Sequence, residues 1–474
     1  MCEPEEDAMI SLTPVLHEES ATPLYQQLFV YIRDAILRSY ILPGEKLPSL
    51  RSLSKSLNIS ITTVELAYNQ LLVEGYISSR PRSGYFVSEI SPGSERGLLA
   101  PLSPGSDPPP YSLPEAYGNN QIYVDPECFD FAKWKKCSNK ILTDYSSLLL
   151  LEGDIQGEAP LRDEISRYIY QARGVRCNRD QVVIAAGTQQ LINLLCIILQ
   201  RMDIDHASFE NPGYLPVRNI FKDRNFKMTL VPIDRDGIQI NKLPANIPTT
   251  VYVSPSNQFP TGSIMPVGRR YALLDWAYRN RSIIIEDDYN SELRYDSRPV
   301  PSLQGLDTGE QVVYLGSFSS TLFPSIKISY MVLPKPLFKL FRESLSGYTQ
   351  TCSKAEQLTL ALYMSSGFYQ TNLRRQRKLN AQKIQMATAA LNRYGKDVVE
   401  ILNNSSGLHM LLKIANKGKT TEEICAAVAE SGLTLAPVSN FEIDGSYSVV
   451  MFYYTRIPIE KMEEAIQSLL HVLR

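Results

Sequence analysis

A segment without sustained periodicity divides this chain into two unequal parts. Residues 91–120 are rich in Pro, Gly, Ser and Asn, and prolines cluster at Pro108–Pro110. Such a composition is typical of an interdomain linker and not of a packed element. A chain of 474 residues also exceeds what one hydrophobic core usually holds. We therefore expect a small domain over residues 22–90, a linker over 91–120 and a large domain over 121–474.

Composition narrows the class of protein. The formal net charge is −2, so any surface that binds nucleic acid must be local. The seven cysteines are scattered, odd in number and without a Cys-x-x-Cys pair, which argues against a disulfide framework and against a zinc site. The first residues are acidic, and no apolar run is long enough for a membrane-spanning helix. We expect a cytoplasmic protein with no membrane contact and no metal site.

Three helical patterns and a hairpin follow one another in the small domain. Apolar residues recur at helical spacing in the first pattern, at Leu28, Ile32, Ala35 and Ile36. The second pattern begins at Pro48, a favoured first-turn residue, and the third, Ile61–Glu74, can be capped by Ser60. A strand–turn–strand pattern then covers residues 76–87. This order predicts a winged helix-turn-helix, which is an α+β unit.

The large domain alternates helical segments with short β-rich runs. These runs lie at residues 182–184, 250–253, 282–285 and 312–315. Alternation of this kind predicts an α/β sheet that is largely parallel and flanked by helices.

Several motifs of the small domain stand in a characteristic order. They are Pro23–Gln26, Leu42–Arg51, Ile59–Val64, Leu71–Tyr76 and Ser83–Tyr85. In this combination they resemble the GntR family of winged helix-turn-helix regulators. The resemblance covers nearly all of residues 22–90 and implies that this domain binds double-stranded DNA.

The GntR resemblance also implies which residues contact the DNA. The candidates are Arg51, Ser60, Thr62, Thr63, Arg80 and Gly84. A guanidinium binds phosphate or a guanine edge, threonine is a short hydrogen-bonding residue, and glycine allows close approach of the backbone at the wing tip. Ile61 departs from the family, because many relatives have an arginine there that reads a base. A solvated surface is the simpler alternative for any single charged residue.

Motifs of the large domain also keep a family order. They are Gly153–Asp154, Ala159–Arg162, Ala186–Gln190, Glu210–Tyr214, Ser254–Gly262, Glu286–Glu292 and Val313–Tyr330. Together they resemble class I aminotransferases, and most closely the MocR/GabR subfamily of GntR regulators. The resemblance implies a multidomain chain. Its large part is expected to be an α/β fold-type I aminotransferase-like domain with a smaller C-terminal α+β subdomain.

The same resemblance implies a site for pyridoxal 5′-phosphate (PLP). The residues implied to bind it are Gly187, Thr188, Gln189, Tyr214, Asp287, Tyr289, Ser317, Ser319 and Lys327. Backbone N–H groups at a helix start bind phosphate, an aromatic face stacks on the pyridine ring, and a carboxylate pairs with the ring nitrogen. Because Asp288 follows Asp287 directly, the partner of the ring nitrogen stays open between these two residues.

One position departs from aminotransferases in its chemistry. Ser320 stands where the family carries the lysine that binds PLP covalently and moves the substrate proton. A serine hydroxyl forms no imine and is a poor base near neutral pH. Lys327 stands where related regulators usually have an arginine that helps hold the phosphate, and the strand Val449–Tyr454 offers no obvious arginine for a substrate carboxylate. We expect no catalytic residue, and any bound PLP should be held non-covalently.

We expect a DNA-binding transcriptional regulator whose large domain senses PLP or an amine- or amino-acid-related ligand, without transamination. The resemblance also implies a homodimer that binds a DNA operator with paired half-sites and responds to a small-molecule effector. Two alternatives stay open: a PLP-dependent aminotransferase with an appended DNA-binding domain, and a DNA-binding scaffold that needs no ligand. We expect a core or supporting role for His409, and a solvated face or dimer contact for Arg374–Lys378.

Overall fold

The chain divides into two compact units, Met1–Ala116 and Tyr117–Arg474. The structure is a computed structural model, which describes residues 12–17, 20, 22–81, 83–89, 125–294, 300–404, 407–438 and 446–474. The expected linker over residues 91–120 lies outside the described residues.

The small unit contains helices and a two-stranded hairpin in the expected order. Its elements are α1 (Leu24–Leu37), α2 (Leu50–Leu57), α3 (Ile61–Val73), β1 (Ile77–Arg80) and β2 (Gly84–Val87). The two strands pair antiparallel, with Ile77 opposite Val87. The helices enclose an apolar core that includes Leu28, Leu53 and Val64. The prediction of a winged helix-turn-helix is confirmed.

The second helix begins later than the sequence pattern indicates. It starts at Leu50 and not at Pro48, because the Ser49 hydroxyl accepts a hydrogen bond from the Ser52 amide at 3.2 Å and caps the helix there. Pro48 lies before the helix, and its carbonyl accepts a hydrogen bond from the Tyr68 hydroxyl at 3.0 Å. This bond ties the start of α2 to α3.

Helices of the large unit precede, separate and follow its strands. Their bounds are α4 (Phe131–Asp144), α5 (Ser146–Leu149), α6 (Ala159–Arg173), α7 (Thr188–Arg201), α8 (Leu215–Asp223), α9 (Val267–Arg279), α10 (Leu303–Leu306), α11 (Lys335–Leu345), α12 (Lys354–Ser365), α13 (Phe368–Tyr394), α14 (Thr421–Glu430) and α15 (Met462–Leu473). Local chemistry sets several ends. For example, α6 carries Pro160 in its first turn and stops at Gly174, whose φ of 70° favours glycine.

Eight strands among the described residues of the large unit form one mixed sheet. They are β3 (Val182–Ala186), β4 (His206–Asn211), β5 (Lys227–Asp234), β6 (Gly237–Ile238), β7 (Thr249–Val253), β8 (Ile283–Asp287), β9 (Val312–Ser317) and β10 (Ile328–Val332). Their spatial order is β3-β10-β9-β8-β7-β4-β5-β6. The strands from β9 to β5 in this order run parallel, whereas β10 is antiparallel to β3 and β9. The largely parallel α/β sheet is confirmed.

Helices cover both faces of this sheet, because alternate strand residues point to opposite sides. On β3, Val183 and Ala185 pack with α7 and α11, while Val182 and Ile184 pack with α6 and α12. The parallel strands end at one edge, which is where α/β sheets usually bind ligands. Asp287 ends β8 and Ser317 ends β9 at this edge.

A second, antiparallel sheet builds the C-terminal part of the large unit. Its strands are β11 (Val399–Asn403), β12 (Met410–Ala415), β13 (Leu435–Pro437) and β14 (Tyr447–Phe452), in the order β11-β12-β14-β13. One face packs on α13, α14 and α15. The other face presents Leu411, Val449 and Met451, and Phe259 packs against them. The smaller C-terminal α+β subdomain is confirmed, and its second face borders the candidate site.

Neither a membrane span nor a metal cluster occurs in the part of the chain that the structure describes. Within it, no helix is long and apolar enough to cross a membrane. Its 27-residue helix α13 carries basic residues such as Arg374 and Lys378. No group of three or more His, Cys, Asp or Glu side chains in the described ranges could hold a metal ion.

Candidate functional site

The predicted DNA-binding residues lie on α2, at the start of α3 and on the hairpin of the small unit. Arg51, Ser60, Thr62 and Arg80 are exposed, and Thr63 and Gly84 are half-buried. Ser60 caps α3, because its hydroxyl accepts a hydrogen bond from the Thr63 amide at 3.0 Å and lies 2.7 Å from the Thr63 hydroxyl. Ser60 and Thr63 therefore stabilise the helix start, while Thr62 presents its side chain to solvent. The DNA contacts themselves stay predictions.

The hairpin places Arg80 and Gly84 at its tip. These two residues are the last pair of the β1–β2 ladder. The Arg80 guanidinium lies over the Phe86 ring, 4.4 Å from its centroid, a cation–π contact that orients the charge. Gly84 has a φ of 112°, which other residues rarely adopt. The wing tip therefore carries a positively charged side chain and, beside it, a backbone position that favours glycine.

At the large sheet's edge, three predicted residues and one unpredicted residue form a hydroxyl cluster. The cluster consists of Thr188, Ser317, Ser319 and Ser329. The Ser329 hydroxyl donates to Ser317 Oγ at 2.9 Å and accepts from Thr188 Oγ1 at 3.5 Å. The Ser319 amide donates to Ser317 Oγ at 3.3 Å. Gly187, with a φ of 89°, precedes the first residue of α7, so backbone N–H groups begin beside these hydroxyls.

The remaining residues that were singled out near the expected phosphate site make no hydrogen bond to the hydroxyl cluster within the described residues. Gln189 and Lys327 are exposed, and Ser320 is half-buried. Within the described ranges, the Lys327 and Ser320 side chains make no hydrogen bond or ion pair. The loop around Ser320 is nevertheless held in place, because the Thr321 carbonyl accepts a hydrogen bond from the Asn372 amide group at 2.9 Å. The serine therefore occupies an ordered loop.

Asp287 lies where the parallel strand β8 stops. We call this part of the site, which holds buried carboxyl groups, the acid end. Asp287 is buried and accepts hydrogen bonds from the Tyr252 hydroxyl and the Tyr289 amide. Burial raises the pKa of Asp287 to about 6, although these hydrogen bonds oppose the shift. Burial also raises the pKa of the neighbouring Tyr289, and the charge of Asp287 adds to that shift.

Glu210 is a second buried acid of this end, and the sequence did not single it out. Its Oε2 accepts from the Ser254 amide at 3.2 Å and from the Gln258 side chain at 3.4 Å. Its Oε1 has no partner among the described residues. Burial raises the pKa of Glu210 to about 8, and the charge of Asp287 contributes. Burial therefore favours the protonated form of Glu210.

Asp288 belongs to a different network, although it follows Asp287 in the chain. Its carboxylate accepts hydrogen bonds from Arg173 at 2.6 Å, the Tyr314 hydroxyl at 2.6 Å and the Ser291 hydroxyl at 2.9 Å. Burial alone would raise the pKa of Asp288, but the charge and hydrogen bonds of Arg173 and the hydroxyls lower it below its ordinary value. Asp288 is fully engaged by the scaffold.

Aromatic rings connect the two predicted tyrosines of the site. Phe259 lies at the centre, with its ring centroid 5.6 Å from Tyr214 and 6.1 Å from both Tyr289 and His409. His409 in turn lies 5.7 Å from Tyr453. Burial lowers the pKa of His409, and its Nε2 is 3.4 Å from the Pro260 carbonyl. The imidazole packs within this aromatic group, which agrees with the supporting role expected from the sequence.

Some residues of the candidate site were not predicted, because the sequence patterns around them pointed to their neighbours. Glu210 opens the motif Glu210–Tyr214, and Phe259 lies inside the motif Ser254–Gly262, but both motifs drew attention to other members. Ser329 pairs with Ser317 across β10 and β9. That pairing depends on strand register, which the sequence does not specify by itself.

Comparisons with known proteins agree with this geometry. Residues 24–87 match the model of the family "Bacterial regulatory proteins, gntR family", and residues 119–469 match "Aminotransferase class I and II". The HTH-type transcriptional regulator YdeL of Bacillus subtilis is 40% identical over 434 residues, which are 91% of this chain and 92% of that protein. The probable rhizopine catabolism regulatory protein MocR of Rhizobium meliloti is 30% identical over 475 residues, covering 96% and 94% of the two chains.

A solved structure extends the comparison to the fold of the large unit. LysN, the alpha-aminoadipate aminotransferase of Thermus thermophilus, complexed with N-(5′-phosphopyridoxyl)-L-leucine, has 25% identity and a TM-score of 0.64. The match covers 74% of this chain and 90% of the LysN chain. The fold and the family matches define a helix-turn-helix regulator with an aminotransferase-like domain. The chain belongs to the MocR-like HTH-type transcriptional regulators, which join a GntR domain to a domain of aminotransferase class I and II.

Proposed function

We propose that this regulator binds an operator through its winged helix and senses PLP, or an amine- or amino-acid-related ligand, in its large domain without transamination. The observation that carries the proposal is the buried carboxylate of Asp287 at the end of a parallel strand. The resemblance to aminotransferases implies in addition that Ser320 stands where an enzyme needs an amine. An acid end of this kind has no evident use in a pure scaffold.

The donor set of the site fits PLP chemically. Asp287 is a buried carboxylate suited to a protonated ring nitrogen, and the Tyr214 and Tyr289 rings both make edge contacts with the Phe259 ring. The hydroxyl cluster and the start of α7 supply hydrogen-bond donors for a phosphate. Lys327 is the positive charge that the resemblance assigns to that phosphate. When bound, PLP supplies an electron-accepting ring.

Retention of PLP is expected to be reversible. Ser320 cannot form the covalent bond that anchors the cofactor in aminotransferases. Asp287 is assigned to the ring nitrogen in preference to Asp288, because Arg173 already neutralises Asp288. The LysN complex supports a phosphopyridoxyl ligand in this fold. The alternative function, a working aminotransferase with an appended DNA-binding domain, lacks its lysine in this proposal.

We further propose that the protein acts as a cytoplasmic homodimer. The DNA-binding domain extends over residues 22–90, a linker follows over 91–120, and the effector domain occupies 121–474. Two-fold symmetry of the dimer implies an operator with paired half-sites. A ligand changes operator affinity only if it binds the two states of the regulator with different affinity.

Operator binding is tested with DNA from the promoter region of the protein's own gene, by fluorescence anisotropy. Arg51→Gln is expected to weaken binding roughly 10-fold or more, because a guanidinium contact to base or phosphate contributes about 1–3 kcal/mol. Lys55→Gln is the matched control, since Lys55 is exposed and basic on the same helix. No specific binding by the wild type, with or without PLP, would contradict the regulator assignment for this operator.

Cofactor binding is tested with PLP, followed by borohydride reduction and mass spectrometry. The wild type is expected to bind PLP in calorimetry, release it on dialysis and show no mass increase. Ser320→Lys is expected to gain the mass of one reduced cofactor, whereas Ser319→Lys, at the preceding residue, should gain much less. If neither wild type nor Ser320→Lys bound PLP, the cofactor part of the proposal would fail, and the DNA part would stand.

A further inference from the structure

A cleft separates the start of α8 from the C-terminal sheet of the large unit. Its volume is about 160 Å³, which is the size of a cavity that holds one small apolar molecule. Tyr214 and Phe259 contribute aromatic walls on one side, and Pro437, Val438 and Met451 contribute apolar walls on the other. The cleft therefore suits a ligand with an apolar body.

Arg218 is the one charged side chain among the described residues that line this cleft. It lies on α8, and Tyr214, which lines the same cleft, is the residue directly before that helix. Arg218 is half-buried and makes no hydrogen bond or ion pair within the described ranges. By contrast, the buried Arg173 and Arg270 are both bound by carbonyls or carboxylates. Beside apolar walls the guanidinium is poorly hydrated. An anionic group that binds it there forms a charge-assisted hydrogen bond, which is stronger than one in water.

The wall opposite Arg218 provides no positive charge. Met451 faces the cleft from β14, and no residue of Val449–Tyr454 is an arginine. The cation that the strand lacks is instead presented by α8, from the other side of the cleft. The N-terminal end of α8, which has no side-chain cap, carries the same sign of charge.

We propose that Arg218 binds the carboxylate of a ligand whose apolar part fills the cleft against Phe259, Val438 and Met451. The ligand class is an apolar carboxylic acid, including an amino acid with an apolar side chain. A simple amine without an acid group is disfavoured, because Arg218 repels it. This inference rests on the proposed function, since it names the class of effector that the same domain senses.

The test uses calorimetry on the full chain with three probes of one shape. These are 4-phenylbutyrate, 4-phenylbutan-1-ol and 4-phenylbutylamine. The carboxylate is expected to bind the wild type most tightly, and Arg218→Gln is expected to weaken it roughly 10- to 100-fold, which is the worth of a charge-assisted hydrogen bond. The alcohol should bind wild type and Arg218→Gln equally. Lys222→Gln, which removes an exposed charge one turn further along α8, should leave all three affinities unchanged.

Two further variants separate a binding role from a structural one. Arg218→Lys keeps the charge and is expected to retain part of the preference for the carboxylate, whereas Val438→Trp fills the cleft and should weaken the carboxylate and the alcohol alike. Equal binding of carboxylate and alcohol by the wild type, an unchanged carboxylate affinity in Arg218→Gln, or no binding of any probe would each overturn the inference.

DNA affinity distinguishes this inference from the proposed function. Operator binding is measured by anisotropy with and without saturating 4-phenylbutyrate. Arg218-dependent binding of the carboxylate without any change in DNA affinity would support the cleft assignment and contradict sensing through it. A PLP-dependent change in DNA affinity, together with a carboxylate affinity that is insensitive to Arg218→Gln, would overturn the cleft assignment and leave sensing intact.

Discussion

Asp287 and Asp288 are neighbours in sequence and both are buried, but they face opposite electrostatic surroundings. Asp288 accepts four hydrogen bonds, two from Arg173 and one each from Tyr314 and Ser291, and these partners lower its pKa despite burial. Asp287 accepts its hydrogen bonds from a tyrosine hydroxyl and a backbone amide, with no cation among the causes of its pKa shift, and burial raises its pKa to about 6. Two carboxylates one residue apart therefore have two different roles.

The difference indicates which acid belongs to the scaffold and which is available to a ligand. A buried carboxylate that already has a guanidinium partner gains little from a second cation, whereas one without a cation gains much. The sequence motif Glu286–Glu292 contains both acids and does not distinguish them. The pairing with Arg173 on α6 makes the distinction.

Arg173→Leu should produce the largest loss of stability. The side chains of Arg173 and Asp288 are 4% and 0% exposed, so the substitution leaves an unpaired charge in the interior. We expect the free energy of unfolding to fall by about 3–5 kcal/mol, measured by urea denaturation of the full chain with far-ultraviolet circular dichroism. Asp275→Asn, which breaks the exposed Arg279–Asp275 pair, should cause no comparable loss.

The double variant Arg173→Leu with Asp288→Leu sharpens this test. Removing both charges should recover much of the lost stability, because the main cost of the single variant is the uncompensated carboxylate. If the double variant were as unstable as Arg173→Leu, the packing of the arginine would explain the loss, and the comparison between the two acids would lose its electrostatic basis.

Asp287→Asn should have a smaller effect and a distinctive dependence on pH. The folded pKa of Asp287, about 6, lies above the usual unfolded value of about 3.9. Between these values the folded protein holds a proton that the unfolded chain has released, so the wild type loses stability as pH rises from about 4 to about 6. Asp287→Asn should remove this part of the decline, which amounts to roughly 2–3 kcal/mol.

Asp288→Asn provides the opposite sign as a control. Because the folded pKa of Asp288 is lowered, its ionised form stabilises the protein above the unfolded pKa and loses that contribution as pH falls below about 4. Denaturation series from pH 3 to 8 compare the two variants with the wild type. If both variants changed the pH profile in the same direction, the contrast between the two acids would be wrong.

Much of the fold followed from local patterns in the sequence. The cap at Ser60, the helices of the small unit and the runs that became β3, β7, β8 and β9 needed only periodicity and turn chemistry. The start of α2 was wrong by two residues, because Ser49 caps the helix and Pro48 stays outside it. The exact start of a helix depends on which of two neighbouring residues is the first to adopt helical backbone angles.

The site followed less completely, because its meaning lies in long-range contacts. The choice between Asp287 and Asp288 depends on Arg173, 115 residues before Asp288. Arg218 carried no signal of its own in the sequence, because the cleft that it lines is completed by Val438 and Met451 from the C-terminal part of the large unit. The predicted roles at the cofactor and DNA sites stay predictions.

The smallest effect is expected at the hydroxyl cluster, where the site has no buried charge. Ser329→Ala removes a buried hydrogen bond of 2.9 Å to Ser317, and should lower the free energy of unfolding by about 1 kcal/mol. Ser365→Ala, at an exposed serine of α12, should change it far less. If the cluster binds the phosphate of PLP, Ser329→Ala should also weaken inorganic phosphate several-fold in calorimetry. An unchanged phosphate affinity would indicate that the cluster only contributes to packing. The acid end would then be the part of the site on which the proposal of ligand binding rests.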